Sequence, residues 1–234
     1  MKEYKIILFD LDGTLSDPKI GITKSVQHAL RKMGIIEADL DKLECFIGPP
    51  LQASFHEYYC FDEKNTKIAI EFYRERFKEK GMYENELYEG IPELLSSLKD
   101  YGYKLVIATS KPTEFSEQIL EYFQIDKYFD LVIGSNLDGT RTSKTEIIQY
   151  ILDKYNEHSA DEFIMIGDRE HDIIGAINTG IDSIGAAYGY GSHEELKRSH
   201  PTYMASNVQE IKDLLVRDMG TGSSSQYQEM HGYR

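Results

Sequence analysis

Short apolar runs alternate with helical patterns over most of this 234-residue chain, and this alternation constrains the fold more than any other feature. The runs are continuously apolar, which is typical of strands buried on both faces. From residue 91 onward, aliphatic residues between the runs recur at helical spacing, as in Ile91, Leu94 and Leu98. Strand and helix in alternation predict βαβ units around a parallel sheet. The predicted strands are residues 4–9, 103–108, 131–134, 163–166 and 183–187.

The stretch after the first predicted strand departs from this pattern. Residues 17–86 carry helical stripes, such as Ile22, Val26 and Leu30, but no convincing buried strand. The chain is also longer than one average domain and shorter than two. We therefore predict an α/β fold with a Rossmann-like parallel-sheet core of residues 1–16 and 87–216, interrupted by an all-helical cap of residues 17–86. Residues 217–234 are rich in Gly, Ser and Gln, so we expect a flexible tail there.

Composition excludes some partners. The chain has 40 acidic and 26 basic residues, a formal charge of −14, which argues against binding to nucleic-acid polymers or to anionic membranes. No apolar run approaches the roughly 18 residues of a membrane span. The N-terminus lacks the pattern of a secretory signal, and the two cysteines, Cys45 and Cys60, are read as free thiols. We expect a cytoplasmic protein, whose oligomeric state the sequence leaves open.

Two carboxylates, Asp10 and Asp12, follow the first predicted strand directly. In open α/β sheets, ligands bind at this end of the strands. Two such charges about 4 Å apart, at an effective dielectric constant of about 20, repel by about 4 kcal/mol. A bound cation or a raised pKa must relieve that repulsion. The alternative interpretation is an acidic turn formed by Asp12 and Gly13.

Other strand and loop ends carry complementary side chains. Asp168 and Asp172 follow the fourth predicted strand, Thr109 and Ser110 follow the second, and Lys144 begins a predicted helix. Hard carboxylate oxygens suit Mg²⁺. Hydroxyl groups, a lysine and a helix N-terminus suit phosphate. Together these ends predict a Mg²⁺ site beside a phosphate-binding site.

This ordered set of motifs resembles the haloacid dehalogenase (HAD) superfamily, in the phosphatase branch that carries a helical cap after the first motif. The resemblance covers the chain to about residue 215, and within the branch the chain is similar to 5'-nucleotidase-like and phosphoglycolate phosphatase-like members. One residue departs from the pattern: Arg169 stands where Ser or Thr is common. The matching segments, in chain order, are residues 10–14, Thr109, Lys144, and Gly167 and Asp168 with Asp172.

The resemblance implies a Mg²⁺-dependent phosphate-monoester hydrolase that acts on a small phosphorylated metabolite, of the 5'-nucleotide or phosphoglycolate type, through an aspartyl-phosphate. Asp10 would be the nucleophile, and Asp12 would protonate the leaving alcohol and then deprotonate water. Thr109 and Lys144 would orient the phosphoryl oxygens. The Mg²⁺ ligands implied by the resemblance are Asp10, the backbone carbonyl of Asp12, Asp168 and Asp172.

Three alternatives stay open. An acid at Asp12 fits a phosphosugar mutase of the same superfamily as well as a hydrolase. A phospho-acceptor signalling module and a catalytically silent interaction protein are the non-enzymatic alternatives.

The cap is expected to select the substrate, because its closure over a bound molecule excludes water. The cap loop, residues 46–51, is stiff, and in capped relatives this kind of loop faces the active site. Within it we single out Gly48, Pro49 and Pro50. Lys19 and Lys24 are candidates for neutralising a second anionic group of the substrate; the alternative interpretation is that both lysines are solvated. The aromatic residues Phe46, Phe55 and Tyr58 either stack on a substrate base or form the core of the cap.

Three further features have a less functional interpretation. The string Leu-Asp-Gly-Thr recurs at residues 137–140, with Asn136 in the place of the nucleophile, and predicts a turn that leads to Lys144. Lys111 is a minor candidate for the phosphate role given to Lys144. His171 is read as a solvated residue at a helix start rather than a metal ligand.

Overall fold

The structure is a computed structural model that describes residues 3–216. Six of its strands form one parallel sheet in the order β5-β4-β1-β6-β7-β8, and β2 pairs with β3 in a separate antiparallel ribbon. The strands are β1 (Ile6–Phe9), β2 (Ser16–Asp17), β3 (Glu86–Leu87), β4 (Lys104–Pro112), β5 (Leu131–Ser135), β6 (Phe163–Gly167), β7 (Asp182–Ala186) and β8 (Tyr203–Ala205).

Helices follow or precede each strand of the sheet, as the alternating pattern predicts. In addition, a short 3-10 helix spans Asp41–Phe46. Within residues 3–216 no helix has the length and apolar composition that crossing a membrane requires. The helices are α1 (Lys19–Lys32), α2 (Leu51–Tyr59), α3 (Glu63–Glu79), α4 (Ile91–Asp100), α5 (Thr113–Tyr122), α6 (Lys144–Lys154), α7 (Glu170–Thr179), α8 (His193–Arg198) and α9 (Val208–Leu215).

The sheet is covered on both faces, which explains why its strands are continuously apolar. Ile6 and Leu8 of β1 pack in one cluster with residues of α6 and α7. Ile7 and Phe9, which point to the opposite face, pack in a second cluster with α4, α5 and α9. The α/β fold with a parallel-sheet core is therefore confirmed.

Helices α1, α2 and α3 all lie between β1 and β4, in the stretch that the sequence separates from the core. Their apolar residues, such as Val26, Leu30 and Phe77, join the same buried cluster as Phe9. The β2-β3 ribbon lies where the chain enters and leaves this stretch: Ser16 pairs with Leu87, and Asp17 with Glu86. We propose residues 17–86 as a cap whose two connections to the core run through this ribbon.

Apart from β4, which runs to Pro112 rather than to residue 108, the differences from the sequence prediction concern short elements. The five predicted strands lie within a few residues of β1, β4, β5, β6 and β7. The prediction missed β8, with three residues, and the ribbon strands, with two each, because so few residues show no periodicity. The predicted flexible tail, residues 217–234, lies outside the described residues.

Candidate active site

The sheet register brings the motif residues to one edge. Phe9, the last residue of β1, is paired with Ile107 of β4 and with Ile166 of β6. The residues that follow these positions therefore leave the sheet side by side. Asp10 continues the ladder by one bond, since its backbone N–H donates to the carbonyl of Ile166 at 2.9 Å.

Three buried carboxylates meet at this edge. Asp10, Asp168 and Asp172 each offer an oxygen atom, and these atoms all lie within 4.8 Å of one another. Asp168 accepts hydrogen bonds from the Thr14 hydroxyl at 3.2 Å and from the Tyr190 N–H at 2.7 Å. Burial raises the pKa of Asp168 well above its usual value, and the charges of Asp172 and Asp10 raise it further. The arrangement holds negative charge close together at an energetic cost.

Gly13 makes this proximity possible. Its φ of +80° lies in the left-handed region, and a Cβ there would come within 2.2 Å of Oδ2 of Asp168. A side chain at position 13 would therefore both strain the backbone and displace the carboxylate. The glycine of the first motif serves to bring this loop against the end of β6.

Lys144 lies between two of the carboxylates. Its Nζ is 3.0 Å from Oδ1 of Asp10, 2.7 Å from Oδ1 of Asp172, and donates to the carbonyl of Ala108 at 2.8 Å. The acids Asp10 and Asp172 raise the pKa of the Lys144 ammonium although burial opposes them. A capping box between Ser143 and Glu146 determines where α6, and with it this lysine, begins. Lys144 is thus held charged at the cluster.

Lys111 contacts a carboxylate of the site directly, whereas from the sequence it is only a minor candidate for phosphate binding. Its Nζ is 2.8 Å from Oδ2 of Asp12, and both side chains are buried. The other oxygen of Asp12, Oδ1, has no hydrogen-bond partner among the described residues. Burial raises the pKa of Asp12, and Lys111 counteracts that rise. The strand predicted from the sequence ends at residue 108, whereas β4 runs to Pro112 and buries both Thr109 and Lys111, so the sequence pattern gave no signal that Lys111 belongs to this strand.

The charges at this edge fit a divalent cation. Asp10, Asp12, Asp168 and Asp172 are all buried, and two buried ammonium groups, Lys111 and Lys144, face them. With every group ionised, this leaves an excess of two negative charges. Hard carboxylate oxygens are the ligands that Mg²⁺ prefers. The donor set and its charge therefore suit Mg²⁺, and the oxygens of Asp10, Asp168 and Asp172 lie close enough together to hold a metal ion.

The predicted phosphate-binding hydroxyls lie beside the cluster. Thr109 is buried at the end of the strand segment that pairs with β1, and its Oγ1 accepts from the backbone N–H of Lys111 at 3.3 Å. Ser110 is half-buried and donates to the carbonyl of Thr142 at 3.3 Å. That bond ties the β4 edge to the loop that precedes Lys144.

A cavity of about 60 Å³ lies between this edge and residues 17–86. Predicted loop residues Gly48, Pro49 and Pro50 line it, and so does Phe46, which also belongs to the buried core. The residues that line it on the core side include Asp12, Ser110, Lys111, Phe115 and Asn136, and those on the cap side include Gln52, Ile70, Tyr73, Arg74 and Phe77.

The structure does not bring the two predicted cap lysines to the cavity. Lys19 forms ion pairs with Asp41, at 2.8 Å, and with Glu44. Lys24 lies 3.7 Å from Glu84. Both cations are already matched by carboxylates of the same helical region. The cavity has a different cap cation, Arg74, which the sequence pattern did not single out.

Among the cap aromatics, two are core residues. Phe46 and Phe55 are buried, with ring centroids 4.9 Å apart in an edge-to-face contact. Tyr58 is 44% exposed and does not line the cavity. Of the three, Phe46 alone contacts both the cap core and the cavity.

Arg169, the departure from the family pattern, links core and cap. Its Nη1 donates to the carbonyl of Ile47 in the cap loop at 2.7 Å, and its Nε lies 2.9 Å from Oε1 of Glu195. A Cβ on Gly48 would lie 2.9 Å from Cγ of this arginine, so the glycine lets the loop approach it. The residue next to Asp168 therefore touches the loop predicted to face the substrate.

The remaining sequence features are placed as follows. Residues 136–140 form a turn, in which the N–H of Gly139 donates to the carbonyl of Asn136 at 3.1 Å. The turn leads into the segment that precedes Lys144. His171 is exposed in the first turn of α7.

Comparisons with known proteins agree with this geometry. A family model described as haloacid dehalogenase-like hydrolase matches residues 7–186. A 5'-nucleotidase from Pseudomonas aeruginosa is 48% identical over 212 residues, which cover 91% of this chain and 96% of the relative. A phosphoglycolate phosphatase from Colwellia psychrerythraea is 29% identical over 225 residues, covering 93% and 99%.

Solved structures show the same likeness. The crystal structure of a predicted phosphatase from Clostridium acetobutylicum superposes with a TM-score of 0.89 at 52% identity. The match covers 91% of this chain and 98% of that one. The motifs, the parallel sheet and these relatives agree, and the chain belongs to the haloacid dehalogenase-like hydrolase family, in which it is a phosphatase.

Proposed function

We propose that this phosphatase hydrolyses the phosphate monoester of a small metabolite, of the 5'-nucleotide or phosphoglycolate type, through a phosphorylated Asp10 and with Mg²⁺. The observation that carries the proposal is the buried cluster in which Asp10 lies 3.0 Å from Lys144, while Asp12, at the cavity, has one oxygen without a hydrogen-bond partner in residues 3–216. This proximity of carboxylates and ammonium groups supports the roles of nucleophile, acid and phosphate-binding cations that the proposal gives them.

Mg²⁺ belongs to this proposal because the acids exceed the lysines. Asp10, Asp168, Asp172 and the backbone carbonyl of Asp12 would hold it. The ion would neutralise charge on the phosphoryl oxygens and so let an anionic nucleophile approach an anionic substrate. It would also relieve the repulsion from Asp172 and Asp10, which adds to the effect of burial in raising the pKa of Asp168.

In the first step an oxygen of Asp10 forms a bond to phosphorus, and the bond from phosphorus to the leaving oxygen breaks. Asp12 donates its proton to that oxygen, which leaves as an alcohol. Lys144 and the Thr109 hydroxyl orient the other phosphoryl oxygens and offset their charge. The products of this step are the free alcohol and phosphorylated Asp10.

In the second step Asp12, now a carboxylate, takes a proton from a water molecule that attacks phosphorus. The bond between Asp10 and phosphorus breaks, and inorganic phosphate leaves. Burial, which raises the pKa of Asp12, favours the protonated state that the first step needs. Lys111, at 2.8 Å, stabilises the carboxylate that the second step needs.

The cap has to move for a larger substrate. Ligand pockets usually measure about 300–1,000 Å³, whereas the cavity between core and cap measures about 60 Å³. A 5'-nucleotide could enter only if residues 17–86 moved outward. Closure afterwards would exclude bulk water from phosphorylated Asp10.

The proposal is tested by following phosphate release from a panel that contains 5'-nucleotides, phosphoglycolate, pyrophosphate and sugar phosphates. With Mg²⁺ we expect release from at least one monoester, and with EDTA we expect that release to stop and to return when Mg²⁺ is restored. Undiminished release in EDTA would refute the metal assignment. Isomerisation of a sugar phosphate without phosphate release would favour the mutase alternative.

A further inference from the structure

We propose that Arg74 binds a second anionic group on the substrate, a carboxylate or a further phosphate, carried by the part that leaves as the alcohol. This inference rests on the proposed function and narrows its substrate class to acidic phosphomonoesters with a small leaving group. It gives Arg74 the role for which Lys19 and Lys24 are the candidates from the sequence, the neutralisation of a second anionic group of the substrate.

Arg74 is the cap cation at the cavity. It lies on α3 among the cavity-lining residues, with Asp12 and Lys111 on the opposite, core side. It is half-buried, and within the described part of the chain its side chain forms one hydrogen bond, in which Nη1 donates to the carbonyl of Leu137 at 3.0 Å. The remaining guanidinium donors are available to a ligand.

No carboxylate neutralises this guanidinium at close range. Among residues 3–216, Arg74 forms no ion pair within 4.0 Å, and the acidic groups that influence it, Glu71 and Glu114, are both exposed. Arg76, two residues further along α3, differs sharply because its Nη2 lies 2.8 Å from Glu84. Burial lowers the pKa of Arg74, as expected for a cation that lacks a partner.

A half-buried, unpaired charge is costly, and an anion in the cavity would compensate it. The guanidinium group is suited to that task, because its donors form a planar fork that matches the oxygens of a carboxylate or phosphate. The group that undergoes reaction is already served by Lys144 on the core side. Arg74 therefore fits the opposite end of the substrate.

The second Leu-Asp-Gly-Thr string explains how Arg74 is oriented. Its first residue, Leu137, supplies the carbonyl that accepts from Arg74, and Gln52 of the cap lies against its glycine, with Nε2 3.0 Å from the position of a Cβ on Gly139. The turn itself is braced, since Nδ2 of Asn136 donates to the Thr140 hydroxyl at 2.8 Å. A core turn thus holds Arg74 at the cavity wall and lies next to Gln52.

The size of the cavity favours a short leaving group. Its volume of about 60 Å³ lies well below the roughly 300–1,000 Å³ of most ligand pockets, so a nucleoside does not fit without cap movement. An acid of two or three carbon atoms, by contrast, places a carboxylate a few ångströms from the phosphorus. Charge and size therefore favour the same substrate class.

The test compares two substrates that differ in one group. Phosphoglycolate and 2-hydroxyethyl phosphate share the phosphate and a two-carbon skeleton, but one ends in a carboxylate and the other in a hydroxyl. We expect the wild-type protein to prefer phosphoglycolate in kcat/KM. Arg74→Gln should reduce that preference by about tenfold or more, as expected for a lost charge-assisted hydrogen bond, with the main change in the KM of the acid.

Two further variants separate recognition from folding. Arg74→Lys keeps the charge and should retain part of the preference. Arg31→Gln, which removes an exposed arginine of α1 in the same cap, should leave the preference unchanged. Melting temperatures of all the variants establish that each one is folded.

Three outcomes would overturn the inference. If Arg74→Gln lowered kcat/KM equally for both substrates, Arg74 would have only a structural role. If 5'-nucleotides were hydrolysed best and the substitution left the preference for them unchanged, the proposed function would stand without this subsite. If no substrate released phosphate with Mg²⁺, the proposed function itself would fail, and the inference with it.

Discussion

The core edge and the cap wall of the cavity are built in different ways. At the core edge, Lys144 contacts Asp10 and Asp172 at 2.7–3.0 Å, and the ends of adjacent parallel strands hold these groups. At the cap wall, aromatic and aliphatic side chains predominate. Two of the side-chain hydrogen bonds between the cap and the core end on backbone carbonyls, from Arg74 to Leu137 and from Arg169 to Ile47.

This difference assigns separate tasks to the two regions. The strands β1, β4 and β6 keep their mutual positions because each is hydrogen-bonded to a neighbouring strand on both sides, so the core edge can hold reacting groups rigidly. A few bonds to carbonyls can break and form again when the cap moves. We therefore expect substitutions at the core edge to lower kcat, and substitutions at the core–cap contacts to raise KM.

The largest effect is expected for Asp10→Asn. An amide cannot serve as the nucleophile, so kcat should fall by about a thousandfold or more for every substrate. Asp153→Asn, on the exposed surface of α6, is the matched control and should retain full activity. Turnover that survives Asp10→Asn in steady-state phosphate release would show that another group attacks phosphorus.

Asp12→Asn comes next, with an expected fall in kcat of about 10²–10⁴-fold for alkyl phosphates, because the leaving alcohol then lacks its proton donor. The loss should be much smaller for the first step with p-nitrophenyl phosphate, whose leaving group needs no proton. Burst kinetics would measure that step separately. An equal loss for both kinds of ester would rule out an acid role for Asp12 in departure of the leaving group.

Lys111→Met should lower kcat by about ten- to a hundredfold, because Asp12 loses the ammonium group at 2.8 Å that stabilises its carboxylate. Lys127→Met, at an exposed position, should have no effect. Steady-state kinetics on one good substrate suffices. A change in KM with an unaltered kcat would mean that Lys111 acts in substrate binding, as we expect of the core–cap contacts, and not in the chemical steps.

The smallest effect is expected for Arg169→Ser, which restores the type of residue common in the family. The protein loses the bond to Ile47 of the cap loop and the pair with Glu195, so KM should rise about three- to tenfold while kcat changes less than about twofold. Arg198→Ser, at an exposed position of α8, serves as the control. A large fall in kcat would mean that Arg169 supports the carboxylate cluster rather than the cap.

Much of the fold was predictable because β1 and its neighbours are buried on both faces and so carry continuous apolar runs. The helical insertion was visible as a break in that pattern. The strand β8, with residues Tyr203–Ala205, was missed because three residues at the edge of a sheet leave no periodic signal. The site residues of the core, such as Asp10 and Asp168, were predictable because each follows a recognisable strand.

The cap side of the site was predicted less well. Gly48, Pro49 and Pro50 line the cavity, but Lys19 and Lys24 do not. Both lysines lie on α1, and the sequence does not tell which carboxylates of the same helical region will be near enough to pair with them. Arg74 gave no sequence signal, since nothing in its neighbourhood distinguishes it from Arg76.

The sequence by itself determined the layered α/β architecture and the identity of the acids and lysine at the strand ends, because strand burial and the meeting of parallel strand ends depend on local pattern. Tertiary structure alone decided which cation faces each anion. The packing of elements that are distant in sequence brings Lys111 to Asp12, Arg169 to the cap loop and Arg74 to the cavity wall. Charge pairing depends on distances of a few ångströms, and spacing along the chain does not contain that information.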